Sequence, residues 1–220
     1  MNIKIINLLI TGIGETFYMV VASTVISYIL GIPLGVLVYA TDKNGICKNS
    51  FVNRIVGLVI NLVRSVPFLI LLVAILPFTR AIVGTTIGSS ASVVPLVVAA
   101  TPFVARMVEA SLKEVDHGVV EAAQAMGSTG WQIISKVLVP EAKPSLIVGM
   151  TIAFTTILGY SAMAGFVGGG GLGAIAVNYG YYRYQTRVML ITVALLVLIV
   201  QIFQEGGLKL ASYIDKRIKR

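Results

Sequence analysis

The feature that most restricts the fold of this chain is a series of long apolar runs that carry almost no charge. The first run, Phe17 to Ala40, contains no charged residue in 24 positions, and a helix needs ~20 such residues to cross a bilayer. Hydrophobic residues make up 57% of the chain, and the mean hydropathy is +0.93. These values are far from those of a soluble domain and predict an integral membrane protein.

The runs predict five transmembrane helices in a single all-α domain that covers residues 1–220, with a transmembrane core of about 12–205. The expected crossings are Phe17–Ala40, Ile55–Phe78, Ile87–Val108, Ser145–Val167 and Val188–Phe203. Arg64, Ser65 and Pro67 interrupt the second crossing. We expect a short connection at Thr79–Gly88 and a loop rich in Gly and Tyr at Gly168–Arg187.

Lys and Arg predict the orientation, because cytoplasmic loops carry an excess of these residues. The first loop, the polar stretch after the third crossing and the C-terminal tail carry eleven on one side, against four on the other. Five crossings then place the N-terminus outside and the C-terminus in the cytoplasm. The same bias explains the net charge of +8 without nucleic acid as a partner.

The polar stretch from Val119 to Pro140 lies between the third and fourth crossings, where a soluble partner could reach it. Its helix formers stop at Gly127, which can take the left-handed conformation that ends a helix. Thr129 and Gln132 have the spacing of a capping box for a second short helix. Trp131, Ile133, Ile134 and Val137 give this second helix an apolar side. We expect Pro140 and Pro144 to end it.

The spacing of this stretch closely resembles the EAA signature of the membrane subunits of ATP-binding-cassette importers. The matching positions are Glu121, Ala122, Ala123, Gly127, Val137, Val139 and Pro140. The resemblance implies that residues 116–140, here called the coupling region, contain a cytoplasmic coupling helix that contacts an ATPase subunit. A surface helical hairpin of some unrelated membrane protein is the alternative interpretation.

Further runs resemble the methionine-uptake permeases of this importer class. They are Asn61–Leu72, Pro77–Gly88, Pro102–Leu112, Gly159–Gly173 and Asn178–Tyr184. The resemblance implies a bacterial inner-membrane homodimer with two ATPase subunits that use ATP and Mg, and an external solute-binding lipoprotein that delivers methionine. This chain itself would hold no cofactor. Tyr160 and Met163 would lie near the central cavity.

Four residues are candidates for the substrate path, each with a plain packing alternative. Arg64 is a charge within the second crossing, which borders the path or snorkels to the headgroups. Tyr160, Ser161 and Met163 lie among small residues that leave room for a cavity, or they simply pack the fourth crossing. Arg106 and Glu109, three residues apart, are expected to pair at the end of the third crossing.

Other chemistry finds little support in the sequence. Gly168, Gly170 and Gly173 formally match a dinucleotide-binding pattern, but a transmembrane segment precedes them where that fold needs a strand. Cys47 and His117 are each alone, so no Cys/His metal site and no catalytic constellation is expected, and His117 is expected in a loop. Two alternative functions stay open: a permease for another small solute, and an ion-coupled carrier, which would need intramembrane carboxylates.

Overall fold

The computed structural model describes residues 3–215, and all regular secondary structure in that range is helical. The α-helices are α1 (Ile3–Thr41), α2 (Ser50–Ser65), α3 (Phe68–Ala74), α4 (Leu76–Val83), α5 (Ser89–Lys113), α6 (His117–Ala125), α7 (Gly130–Ile133), α8 (Val139–Glu141), α9 (Lys143–Ala164), α10 (Gly171–Ile175) and α11 (Thr186–Ile214). Two π-helical turns, Ile134–Leu138 and Ala176–Tyr181, and a 3₁₀ turn, Gly165–Val167, join some of them.

Four of the described helices are long and apolar enough to cross a membrane. They are α1, α5, α11, and α9 together with the 3₁₀ turn that follows it. The pair α2 and α3 adds a fifth if the two are counted as one span. The prediction of an all-helical membrane protein is therefore confirmed.

The long helices extend beyond the expected crossings. α1 starts at Ile3 and not near Phe17. Gly12, Gly14 and Glu15 lie within the helix and do not interrupt it. α11 runs to Ile214 and passes through a pair of glycines. The second of these, Gly207, allows close packing, since a Cβ on it would overlap the Thr151 side chain of α9. The apolar pattern predicts the most hydrophobic part of a helix, but it does not predict the less apolar turns at the helix ends.

The prolines act differently from one another. Pro67 separates α2 from α3, and its ψ of 135° is extended, as expected for the interruption of the second crossing. The prediction that Pro140 and Pro144 end the short helix is wrong, because the chain stays helical through both apart from one turn residue, Ala142. The π turn Ile134–Leu138 widens the helix just before Pro140. Pro144 lies in the first turn of α9, where no backbone donor is needed.

Two segments expected as connections contain helices. The Thr79–Gly88 stretch includes most of α4, which ends at Gly84 with a left-handed φ of +82°. The Gly168–Arg187 stretch contains α10 and a π turn, so only its ends are irregular. A glycine-rich pattern indicates a change of chain direction, but it does not exclude short helices on either side of the change.

The described chain forms two compact units, and the first contains residues 3–27, 66–100 and 153–204. A buried cluster of this unit includes Met19, Leu96 and Ile157, each fully buried. Aromatic rings lie at the edge of this cluster, where Phe154 stacks on Phe203 with ring centroids 4.0 Å apart. Stacked pairs of this kind contribute about 0.5–1.5 kcal/mol of stability beyond the contribution of the apolar area they bury.

The second unit contains residues 28–65, 101–152 and 205–215. In it α1 approaches α5 closely, because a Cβ on Gly35 would lie 2.5 Å from the carbonyl oxygen of Ala105. Small residues at such positions let helix backbones pack tightly in the membrane. On the same α5, the Ser111 hydroxyl accepts a hydrogen bond of 3.0 Å from Ser145 of α9. This unit carries the coupling region.

Candidate functional site

The coupling region begins with a capped helix. The Asp116 carboxylate accepts a hydrogen bond of 2.7 Å from the Gly118 N–H, which fixes the start of α6. His117 is the first residue of this helix, so the expectation that it lies in a loop is wrong. The sequence contained the signal in Asp116, because Asp is among the strongest N-cap residues.

α6 ends as its sequence predicts. Gly127 has a φ of +78°, the left-handed conformation. The Gly127 N–H donates to the Gln124 carbonyl at 2.9 Å, and the Ser128 N–H donates to the Ala123 carbonyl at 3.1 Å. These bonds satisfy carbonyls that would otherwise lack partners at the end of the helix. α6 is therefore a short rigid element with both ends closed.

The residues of the EAA signature do not share one environment. The Glu121 side chain is 67% exposed and lies 3.1 Å from Nδ1 of His117. Ala122 and Gly127 are also exposed, whereas Ala123 is buried at 3%. Glu121 and Ala122 therefore face outward, whereas Ala123 is on the buried side of α6. Pro140, the last residue of the signature, is exposed in α8.

The second short helix has the predicted capping box. The Thr129 hydroxyl accepts from the Gln132 N–H at 3.4 Å, and the Gln132 side chain accepts from the Thr129 N–H at 2.8 Å. Ile133 is buried as expected, but Trp131 is 74% exposed and does not belong to the apolar side. Met126 is 78% exposed as well. Two large apolar side chains on the surface of the coupling region were not identified from the sequence.

The substrate-path candidates differ in exposure. Tyr160 stacks on Phe68, with ring centroids 4.5 Å apart and planes 6° from parallel. Ser161 is buried at 1%, and its hydroxyl donates to the Leu158 carbonyl at 2.8 Å. Met163 is 43% exposed. Of the three, Met163 presents the most surface and Ser161 presents almost none.

Arg64 belongs to the second unit, and the three α9 candidates belong to the first. Arg64 is exposed in the last turn of α2, and its guanidinium lies 6.0 Å from the centroid of the Phe103 ring. That distance is the outer limit of a cation–π contact. A cation near a helix C-terminus also interacts favourably with the helix dipole.

The glycine-rich turn is attached to α1 by two polar side chains. The Glu15 carboxylate accepts from the Gly171 N–H at 2.6 Å, and the Thr16 hydroxyl accepts from the Leu172 N–H at 2.8 Å. Gly170 and Gly171 have φ values of +78° and +70°. Sequence reasoning missed Glu15 and Thr16, because their partners lie about 156 residues away in the chain.

A series of ion pairs lies at the end of α5. The predicted pair of Arg106 and Glu109 is present, with 2.6 Å between Nη1 and Oε2. Lys113 Nζ lies 2.8 Å from Glu109 Oε1 and 2.7 Å from Asp42 Oδ2. The Lys113 ammonium, through its hydrogen bond, holds the pKa of the Asp42 carboxyl below its usual value. Asp42 and Lys113 were not identified from the sequence.

Within residues 3–215 no group of three or more His, Cys, Asp and Glu side chains is placed to hold a metal ion. The observed geometry includes apolar spans, a helix closed at both ends on the surface and a glycine turn fixed to α1. This arrangement is that of a membrane protein with a short, capped helix on its surface.

Comparison with known families identifies the class of membrane protein. Residues 31–219 match the family described as binding-protein-dependent transport system inner membrane component. The chain belongs to this family. It is thus a transport component of an inner membrane.

Curated relatives are similar over most of the chain. A probable D-methionine transport system permease protein of Vibrio cholerae is 51% identical over 96% of this chain and 94% of its own length. The D-methionine transport system permease protein of Escherichia coli K12 is 49% identical over 72% of this chain and 73% of its own length. A solved structure of the MetNI methionine ABC transporter in an inward-facing conformation matches with a TM-score of 0.97 and 45% identity, covering 98% of this chain and all of that chain.

Proposed function

We propose that this chain is the membrane subunit of an ATP-driven, binding-protein-dependent importer that moves methionine across the bacterial inner membrane. Support comes from relatives that carry the D-methionine permease name at 49–51% identity and from the similarity to a methionine transporter structure. ATP hydrolysis belongs to a separate ATPase, which uses Mg. An external solute-binding lipoprotein delivers the substrate.

The observation that carries the coupling role is the closed, exposed helix α6. Its Glu121 and Ala122 lie on the surface, and the φ of +78° at Gly127 ends the helix sharply. We infer that an ATPase subunit binds the coupling region at Glu121, Ala122, Ala123, Gly127 and Pro140. Met126 and Trp131 add large apolar side chains to this surface, which suits a buried protein interface.

The proposed topology has five spans in one permease domain of residues 1–220, with a core of about 12–205. α2 and α3 together form the second span, broken at Pro67. The N-terminus is outside, and the coupling region and C-terminus are in the cytoplasm, as the Lys and Arg bias indicates. Two copies form the transport unit in lipid. The candidate residues for the substrate path are Tyr160, Ser161, Met163 and Arg64.

The transport cycle follows from rigid-body coupling. Closure of the ATPase dimer on ATP displaces α6 as a unit, because its capped ends resist local unfolding. The helices joined to the coupling region then move between inward-open and outward-open arrangements. The free energy comes from ATP, so the chain by itself is expected to be inert.

The test is reconstitution in liposomes with the ATPase and the solute-binding protein. We expect uptake of labelled methionine that needs both ATP and the ATPase, and competition by unlabelled D- and L-methionine reports the stereochemical preference. Another small solute that competes more strongly than either isomer would reassign the substrate. Solute accumulation driven by an ion gradient, with this chain alone in the liposome, would overturn the proposal.

A further inference from the structure

Four charged side chains form a continuous series at the end of α5. Arg106 pairs with Glu109 at 2.6 Å, Glu109 with Lys113 at 2.8 Å, and Lys113 with Asp42 at 2.7 Å. Glu109, which is 7% exposed, accepts from both cations and is therefore well compensated in its buried position. The series ends on Asp42, which directly follows α1.

The same series also reaches α2 of the second unit. Arg106 Nη2 donates to the Asn61 side chain at 2.9 Å and to the Gly57 carbonyl at 3.3 Å, both in α2. The end of α1 is also fixed to α2, because the Asn53 side-chain amide donates to the Val38 carbonyl of α1 at 2.7 Å. The ion pairs thus connect α5 with the end of α1 and with α2.

The coupling region is close both to Lys113 of this series and to the loop that follows α1. Only residues 114–116 separate Lys113 from the first residue of α6. At the start of α7, a Cβ on Gly130 would lie 3.4 Å from the Ile46 side chain and 3.5 Å from Cys47 Sγ. Residues 42–49, here called the 42–49 loop, therefore lie against the coupling region as well as against Lys113.

We propose that Asp42 and Lys113 are positioning residues that transmit displacement of the coupling region from α5 into α1 and α2, an inference that rests on the proposed function. The covalent link through residues 114–116 by itself displaces α5. The ion pair makes the 42–49 loop, and with it the end of α1, follow the same displacement. The 42–49 loop and the coupling region then move as one body.

The energetics of the pair separate this role from a role in folding. The side chains of Lys113 and Asp42 are 48% and 31% exposed, and exposed pairs contribute little to stability. Glu109 keeps Arg106 as a partner when Asp42 is neutralised. A change confined to Asp42 should therefore leave the fold intact and affect what the pair transmits.

The first experiment measures methionine transported per ATP hydrolysed by the reconstituted complex, together with the thermal unfolding midpoint. We expect Asp42→Asn to lower the transport ratio by about threefold or more, with an unfolding midpoint within about 4 °C of wild type, since an exposed pair contributes little stability. The single variants Asp42→Glu and Lys113→Arg keep the charges, and their transport ratios should stay within about twofold of wild type. Glu205→Gln, which removes an exposed pair of 3.5 Å with Lys209, serves as the matched control and should behave as wild type.

The second experiment does not depend on the stability of the charge variants. Gly130→Cys places a thiol beside the native Cys47, and oxidation should join the 42–49 loop to α7. If the two move as one body, the oxidised and reduced proteins transport the same amount per ATP. Gly130→Cys combined with Cys47→Ser cannot form the bond and is the control.

The outcomes separate this inference from the proposed function. A wild-type complex that shows no ATP-driven methionine uptake would refute the function and the inference together. Uptake by wild type with an equal transport ratio for Asp42→Asn would refute the inference alone. Loss of transport on oxidation of Gly130→Cys, reversed by a reductant, would also refute it, since the loop and the coupling region would then have to slide past each other.

Discussion

Substitution of Gly127 tests whether the sharp end of α6 matters for transport. The residue has a φ of +78°, and outside its two chain neighbours no heavy atom lies within 4 Å of the position that a Cβ would occupy. A side chain there would therefore meet no steric clash within the subunit, and its cost is the cost of the left-handed backbone. That cost is about 1–2 kcal/mol for an ordinary L-residue and is smaller for Asn.

These values predict an order that differs from the order of side-chain size. Gly127→Asn should be mildest, Gly127→Ala should follow, and Gly127→Val should be most severe because β-branching disfavours positive φ. A cost of 1–2 kcal/mol corresponds to roughly a 5–30-fold increase in the population in which the end of α6 is open. The bond from the Ser128 N–H to the Ala123 carbonyl would break in that state.

The assay combines amide hydrogen exchange at Ser128 with ATP-driven methionine uptake, both at matched membrane levels of protein. Exchange should accelerate, and uptake should fall, in the order Asn, Ala, Val, with uptake abolished in Gly127→Val. Gly206→Ala is the matched control, because Gly206 is exposed in α11, has open space around a Cβ and lacks a positive φ. It should be neutral or stabilising by about 0.5–1 kcal/mol.

Two results would refute this reasoning. Normal uptake by a well-expressed Gly127→Val variant would show that the end of α6 does not transmit force. A series in which Asn is worse than Ala would show that side-chain volume, set by a partner surface, controls the position. In that case backbone conformation would not explain the glycine.

Three further predictions concern contacts outside α6. Gly35→Ala should lower stability in detergent by about 1–3 kcal/mol, measured by thermal unfolding, because the new Cβ would lie 2.5 Å from the Ala105 carbonyl oxygen. Glu15→Ala should accelerate hydrogen exchange of the Gly171 amide by about tenfold or more, because a charged hydrogen bond is lost. Glu15→Gln keeps an acceptor oxygen and should accelerate this exchange less. Because the pKa of Asp42 is lowered in the folded state, its ion pair contributes stability above the usual Asp pKa of about 3.9 and loses it as pH falls through the lowered value. The difference in unfolding midpoint between wild type and Asp42→Asn should thus be constant from about pH 8 to pH 6 and shrink only below about pH 4.

Interactions between residues close in the chain could be predicted well. Gly127 as a helix end, the capping box of Thr129 and Gln132, and the pair of Arg106 and Glu109 are all present. Each depends on residues within four positions of one another. Such spacing fixes the geometry once the helix forms.

Helix limits and surface exposure were predicted less well. Pro140 did not end a helix, because the preceding π turn changes which backbone groups need partners. Trp131 was assigned to an apolar side from a period of 3.6 residues, and the same π turn lies close to it. Neither feature is visible in hydrophobic periodicity, which assumes regular α-helical geometry.

The sequence by itself determined that this chain is an all-helical membrane protein, roughly where its apolar helices lie, and that Gly127 terminates α6. These properties follow from transfer of apolar residues to lipid and from hydrogen bonds within a helical turn, which are local. The tertiary structure decided which distant groups meet, such as Glu15 with Gly171 and Asp42 with Lys113. Those contacts depend on which helices become neighbours, and that choice is made by the packing of the whole chain.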